Sequence, residues 1–487
     1  MSNFDINRKP LSSEERQMGR NMLDFVAKSP AAWQACATAG ELLQANGFHK
    51  VQAGDLVNSK VGDKNFITIN DSSLIAWSIG KDSYQKGARI WGSHLDSPAL
   101  QIKPNSLIEK EGTLIVNCSV YGGPLLNSYF DRPLGLAGIV TLRSHCDQAA
   151  YKSVLVDLAP LKIVLPSLAI HFNRAANDGV KIEKQKVLLP LLGLSRNEKV
   201  KTAAASYTRA ANYAAVCEQE SDCVDNGGTD LQVFEQLISE KLNCPMEDIL
   251  DYDLRTYVCE APCFVGLNEE LMSSSRMDDL GMSIPGVYGF IAANSADGKF
   301  ARTFKENEFD GLKVLYLADN EEIGSNTKQG ADTIWLRQTI EAICLSLGMP
   351  QAEFPEVLEH SIMISADVAH AVHPNYAEYA DGTNRPRLNE GPVLKINPGK
   401  YSTDAASAAS FRLVCEAAGV PLQTFMNRTD LPGGTTIGPI TTAYLPISNV
   451  DIGNPILAMH SCRELAGVLD SYYAKVMCEM FYRKPLI

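Results

Sequence analysis

Four of the eight histidines in this chain, His94, His370, His373 and His460, sit in short polar clusters rich in carboxylates. In GSHLDSP (92–98), His94 and Asp96 are two apart, so on an extended backbone both side chains leave from one face. An imidazole with a carboxylate beside it to fix its tautomer is a normal metal-ligand pair. SSRMDDLG (274–281) offers adjacent acids, Asp278 and Asp279, after a strand-like stretch, and DNEEIGS (319–325) runs an apolar strand into four polar residues, three of them acidic. Packing that much negative charge at a strand end is costly unless cations, protons or solvent relieve it. SADVAHAVHPNY (365–376) places Asp367 directly after another apolar strand, with His370 and His373 three and six positions on, and AMHSCREL (458–465) places His460 at the start of the last amphipathic helix.

Each cluster alone has a bland reading: a surface histidine and a turn acid, or a helix N-cap and a first-turn carboxylate. The concentration of histidines in them favours a metal site. Ligands of the His, Asp and Glu type without thiolates suit zinc, manganese or cobalt. Two histidines, a bridging carboxylate and further terminal carboxylates are enough for two ions ~3.5–4 Å apart, which make buried acids an asset and acidify a bridging water toward pKa ~7. One more carboxylate outside the metal shell then serves as general base, and Glu321 and Glu322 can divide these jobs if the backbone bends there. Amide hydrolysis is the natural reaction for such a centre.

The elements that must position these residues follow from periodicity. Ser12 opens a capping-box pattern and a helix to about Lys28, and a second helix over 31–46 ends at Gly47. Strands are expected at 65–70, 74–80, 88–94, 314–319 and 361–367, with helices at 331–347, 404–418 and about 459–481. This alternation predicts an α/β domain with a mixed sheet flanked by helices and the polar motifs at strand ends. Between 104 and 262 the texture changes to short β-like runs (LIVNCSV, KIVLPSLAI, KVLLPLL) and a polar helical stretch near 229–242. The expected organisation is a discontinuous domain, 1–103 plus 263–487, interrupted by an inserted β-rich domain, 104–262.

Composition narrows the setting. At 487 residues, 45% hydrophobic and 21% charged, the chain exceeds the ~250–300 residues at which one core stops growing. Its 57 acids against 44 bases leave a net charge of −13, which repels phosphate backbones and anionic bilayers and argues against nucleic-acid or membrane partners. The twelve cysteines form no C-x-x-C pair, and no stretch approaches 18 consecutive apolar residues; free thiols in the cytoplasm are expected.

The motifs GSHLDSP, NSYFDRPLGLAG, AIHFNRAAN, SRMDDL, DNEEIGS, SADVAHAVHPNY, LPGGTTIGP and AMHSCREL, in this order over about 91–465, resemble the aspartyl aminopeptidase family of metallopeptidases. The resemblance implies a dimetal aminopeptidase for peptides with N-terminal Asp or Glu, whose inserted domain mediates dimerisation within a tetrahedral homo-oligomeric dodecamer. It assigns His94 and Asp367 to one of two divalent ions (zinc, with manganese or cobalt as alternatives), Glu322 and His460 to the other, and Asp278 to both. Glu321 is then the general base, which takes a proton from the attacking water and passes it to the leaving amine, and Asp96 orients His94. It further implies that His171, in the insert, reaches a neighbouring subunit's site to hold the substrate carbonyl, and that His370, Lys395 and Tyr401 face substrate, with Lys395 against its side-chain carboxylate.

The chain departs from the family pattern in three places. The segment from Lys395 to Tyr401 is one residue short and contains Pro398 and Gly399. Asp279 stands where Asn is common and is expected to cap the following helix, and a polar, Cys-containing stretch around 193–228 does not align with the family motifs. The alternatives to acidic specificity are a broad or neutral-preferring metalloaminopeptidase and a catalytically silent oligomeric scaffold.

Overall fold

Strands covered on both faces are buried along nearly their whole length, and four such strands form the centre of a nine-stranded sheet. The strands Leu312–Ala318, Ala88–His94, Ile362–Ala366 and Ser448–Gly453 are adjacent and mutually parallel. Beyond Leu312–Ala318 come Ser73–Ile79, Lys64–Ile69 and His49–Lys50, and beyond Ser448–Gly453 come Val393–Lys395 and Gln423–Phe425. The computed structural model describes residues 10–145, 149–195, 232–304 and 308–484. The chain divides into two units, Met1–Pro98 with Ala261–Ile487, and Ala99–Glu260.

The first unit has helices on both faces of its large sheet. Within Leu312–Ala318, Leu315 and Leu317 share a core with the helices Ser13–Lys28, Ala32–Ala45, Met277–Ala293, Ala405–Ala418 and Val468–Arg483. The alternate residues Val314 and Tyr316 share the opposite core with Trp335–Ser346, Phe354–Glu359 and Ile437–Tyr444. Period-two alternation therefore feeds two apolar layers from one strand. The first helix begins as its sequence predicts: Ser12 Oγ accepts from Glu15 N, and Glu15 returns a carboxylate to Ser12 N.

A five-stranded sheet in the same unit orders Cys263–Val265, Leu271–Ser274, Glu464–Gly467, Pro455–Leu457 and Ala369–His370. It corrects the expectation of a helix from about 459. Residues 455–467 form two antiparallel strands joined by a turn, and the helix starts only at Val468. Cys462, Glu464 and Ala466 are buried in strand alternation, a period that merges into the helical pattern following it.

The second unit is built on a six-stranded antiparallel sheet in the order Tyr151–Asp157, Leu134–Arg143, Ile249–Val258, Ala99–Lys110, Thr113–Tyr121 and Leu191–Leu194. LIVNCSV lies within one of these strands, and the polar helical stretch is the helix Val233–Leu242. KIVLPSLAI is not a strand: Ile163, Val164 and Leu165 make isolated bridges only, and Pro166, lacking an N–H, ends the run. KVLLPLL splits at Pro190 into a helical turn, Lys184–Val187, and the edge strand Leu191–Leu194. Most of the 193–228 stretch lies outside the described residues.

Helix Met277–Ala293 lies tight against the sheet because Gly286 has no side chain: a Cβ there would stand 2.3 Å from the indole Nε1 of Trp91, which is fully buried. A ring packed on all sides cannot move aside cheaply. Gly286→Val is expected to cost about 1–3 kcal/mol, read as a lower thermal midpoint. An unchanged midpoint would show that the helix can lift off the sheet freely.

Candidate metal centre

Parallel strands bring their carboxyl ends to one edge, where open α/β sheets bind ligands. His94 is the last residue of its strand and lies in register with Ala318, so the DNEE turn rises directly beside it. The backbone does bend there: Asn320 has φ 59°, Glu321–Ile323 form a single 3-10 turn, and Gly324 follows at φ 94°. Asp367 comes immediately after the neighbouring strand. Asp278 enters at the kinked start of its helix, where Arg276 is left-handed (φ 62°) and Asp278 itself is non-helical (φ −86°, ψ 106°). His460 is carried by the turn between Pro455–Leu457 and Glu464–Gly467, also left-handed, at φ 64°.

These elements converge on Asp278. Its Oδ1 lies 3.3 Å from His94 Nε2 and its Oδ2 lies 3.2 Å from His460 Nε2, so one carboxylate stands between two imidazoles. Glu322 Oε1 is 3.5 Å from His460 Nε2, and Asp367 Oδ1 and Glu321 Oε2 are each 3.9 Å from His94 Nε2. His94 turns its other nitrogen to Asp96, with Nδ1 3.1 Å from the carbonyl and 3.3 Å from Oδ1. Those partners fix the ring so that Nδ1 points to Asp96 and Nε2 faces the other acids.

Around this cluster, three carboxylates each accept from two backbone N–H groups. Asp96 accepts from Glu321 N and Glu322 N, both at 3.1 Å. Asp279 accepts from His94 N and Val368 N, both at 3.2 Å. Glu464 accepts from Asp278 N at 3.1 Å and His460 N at 2.8 Å. Asp279 is thus not the cap of its own helix. It fastens the end of the His94 strand to the residue after Asp367, because the break at Asp278 turns its side chain inward. Asp279 as a tie between strands and Glu464 as a tie at all were missed from sequence; the one available signal was an acid four residues after His460 in AMHSCREL.

The electrostatics call for cations. Burial, followed by the neighbouring acids, pushes Glu321 and Glu464 up to about 8 and raises Glu322, Asp279 and Asp367 as well. Burial also opposes ionisation of Asp278, yet the hydrogen-bonded imidazoles hold its carboxyl well below the usual range. For His94, burial is outweighed by its bonds to Asp278 and Asp96, which keep its imidazole well above its ordinary value. Glu322 Oε1 is buried and accepts no hydrogen bond. Two imidazoles, converging carboxylates, an orphaned oxygen and no thiolate fit divalent zinc, manganese or cobalt. His94 with Asp278 and Glu322, and His94 with Asp279 and Asp367, each bring ligand atoms within 4.8 Å of one another. Since both oxygens of Asp279 already accept backbone N–H groups, Asp367 is the freer ligand of the second set.

Lys395 and Tyr401 also reach the cluster. Lys395 Nζ is buried 3.4 Å from Asp367 Oδ2 and 5.5 Å from the Tyr401 ring. The loop that bears Tyr401 is tied down by Asp451, which accepts from Ser402 N and Thr436 Oγ1. His370 is exposed, its ring 6.0 Å from that of Phe425. His373 stands apart, accepting from Asn375 N and stacking on Tyr376. His171 lies in the other unit, exposed, within a segment that also exposes Leu168 and Phe172.

Fold and site together define a metal-dependent hydrolase of the α/β type. Residues 25–482 match the sequence profile of the aminopeptidase I zinc metalloproteases (M18). A probable M18 family aminopeptidase 2 from Clostridium acetobutylicum is 39% identical over 471 residues, 96% of this chain and 99% of that relative. Among solved structures, one of an Ape4 and Nbr1 complex superimposes with TM-score 0.86 at 31% identity, covering 98% of this chain and 87% of that one. The S. cerevisiae mApe1 dodecamer gives TM-score 0.76 at 23% identity, with 97% of each chain covered. The chain belongs to the M18 family and is a zinc metalloaminopeptidase. Among the described residues no helix is long and apolar enough to cross a membrane.

A carboxyl raised by the fold keeps its proton where the unfolded chain has lost it, so the metal-free native state binds more protons and loses stability as pH rises. For Glu321 and Glu464 this window runs from their ordinary value of 4.5 to about 8. The thermal midpoint of the chelated protein should therefore fall between about pH 5 and about pH 8, while the increase produced by added zinc, which displaces those protons, should grow. A zinc effect independent of pH would contradict this proton inventory.

Proposed function

We propose that this metalloaminopeptidase removes N-terminal Asp and Glu from peptides, with Glu321 as general base. The observation that carries the acidic preference is Lys395, a buried ammonium next to Asp367 and Tyr401. In a desolvated pocket a charge-assisted contact of this kind outweighs the repulsion of a screened net charge of −13. Tyr401 walls the same pocket, and exposed His370 faces the bound peptide.

His94 and Asp367 would hold one ion, Glu322 and His460 the other, with Asp278 shared between them. Bound there, divalent ions acidify water and polarise a carbonyl. Glu322, its side chain 4% exposed, lies 3.5 Å from His460, whereas Glu321, at 14%, is the more open of the two. Glu321 therefore takes the proton of the attacking water and returns it to the leaving amine. Asp96 keeps both glutamates and His94 in place through its backbone and imidazole contacts.

The assembly belongs to the same reading. We infer a homo-oligomer, a tetrahedral dodecamer built from dimers, in which the inserted domain dimerises and His171 reaches a neighbouring subunit's site to hold the substrate carbonyl. Support comes from the dodecamer of S. cerevisiae mApe1 and from the exposed apolar residues flanking His171. A cytoplasmic setting is supported by the free cysteines among the described residues. A broader specificity is the second reading, favoured by the apolar side of the pocket, where Tyr401 packs on Ala369, Val393 and Phe425.

Initial rates on peptides beginning with Asp, Glu, Leu, Lys and Ala, with zinc, manganese or cobalt and after chelation, test the whole reading. Rates confined to Asp and Glu and lost on chelation are expected; comparable rates on Leu and Ala would leave only the broader enzyme. Lys395→Ala should depress acidic substrates selectively, and equal loss on Leu and Asp would make Lys395 structural. Glu321→Gln should keep its metal while kcat falls by at least ~10²-fold. Retained turnover in that variant would remove Glu321 from the role.

A further inference from the structure

We propose that Glu464 is a positioning residue that sets the spacing of His460 and Asp278 and thereby the affinity of the centre for its metal. The proposal rests on the reading of those two side chains as ligands. Glu464 is buried at 2% exposure, and both of its oxygens are committed, Oε2 to Asp278 N at 3.1 Å and Oε1 to His460 N at 2.8 Å. Neither N–H belongs to regular structure, since Asp278 is non-helical at its helix start and His460 is left-handed in a turn. Without Glu464, both N–H groups would lose this acceptor at the edge of a largely buried region, which is unfavourable.

The placement of Glu464 makes it a brace between segments far apart in sequence. It sits on the strand Glu464–Gly467 directly opposite Ser274, and the chain runs from Ser274 through the left-handed Arg276 to Asp278. On its other side a tight turn, closed by Ser461 N donating to the Ala458 carbonyl, leads back to His460. One carboxylate thus fixes two backbones whose side chains meet at 3.2 Å, His460 Nε2 to Asp278 Oδ2. Asp96 does the same for Glu321 and Glu322, but those share one turn. Glu464 links a helix start to a hairpin tip, so its removal lets the two ligands drift independently.

Glutamine keeps one acceptor and turns an amide N–H against the other backbone N–H; alanine removes both acceptors. The test compares wild type, Glu464→Gln, Glu464→Ala and His460→Ala by competition with a chelator for cobalt or zinc, and by the visible absorption of the cobalt-loaded enzyme. Both Glu464 variants should bind metal about 10–100-fold more weakly with an altered cobalt spectrum, kcat falling more than KM rises. If Glu464→Ala does not fold, the isosteric glutamine variant carries the comparison. A purely structural Glu464 would lower the thermal midpoint of the chelated protein and leave metal affinity and spectrum at wild-type values, which overturns the proposal. That result alongside weakened metal binding in His460→Ala would overturn the role of Glu464 alone. Undiminished binding in His460→Ala would overturn the ligand assignment and this inference with it.

Discussion

The structure depends on a way to keep seven carboxylates, Asp96, Asp278, Asp279, Glu321, Glu322, Asp367 and Glu464, in one largely buried region. Like charges at such distances repel strongly in a low dielectric, and desolvation penalises each. The fold divides them into two groups. Asp96, Asp279 and Glu464 accept from backbone N–H groups, two apiece. Asp278, Glu321, Glu322 and Asp367 face His94, His460 or Lys395 instead, with a geometry that accommodates divalent cations. The first group holds the backbone so that the second can point inward.

Such precision needs a rigid frame, and the parallel centre of the large sheet supplies it. His94, the DNEE turn and Asp367 leave adjacent strand ends, while Asp278 and His460 arrive from the smaller sheet and the helix it feeds. The backbone is also irregular at the segments that carry the cluster: Arg276, Asn320, Ala458 and His460 are all non-glycine residues at positive φ. Left-handed residues of this kind persist only when surrounding contacts over-determine them. The paired N–H bonds of Asp96, Asp279 and Glu464 are contacts of that sort.

Much of this was legible in the sequence because strands and acid–histidine clusters at their ends have strong local signatures. An apolar run ending in His94, Asp319 or Asp367 announces both the strand and the polar edge at which it stops. The capping box at Ser12 marks its helix within a residue. What was not legible depends on backbone that periodicity does not encode. Cys462, Glu464 and Ala466 alternate over too few residues to separate a strand from the helix beginning at Val468. Asp279 reads as a cap only if its helix starts regularly, and the non-helical Asp278 removes that premise. Glu464 gave only the faint signal of an acid four residues after His460, because its partners are main-chain atoms, which every sequence possesses.

The same division of charge bears on specificity. Lys395 stands 3.4 Å from Asp367, so the cation proposed to meet a substrate carboxylate is also the one balancing a candidate metal ligand. In water a neighbouring pair of this kind is worth little, but burial of both partners removes the screening that makes surface pairs weak. A divalent ion beside Asp367 therefore changes the charge that Lys395 answers to. Metal binding and recognition of the first side chain are in this way parts of one electrostatic problem, solved by side chains that the sheet places within a few ångströms of each other.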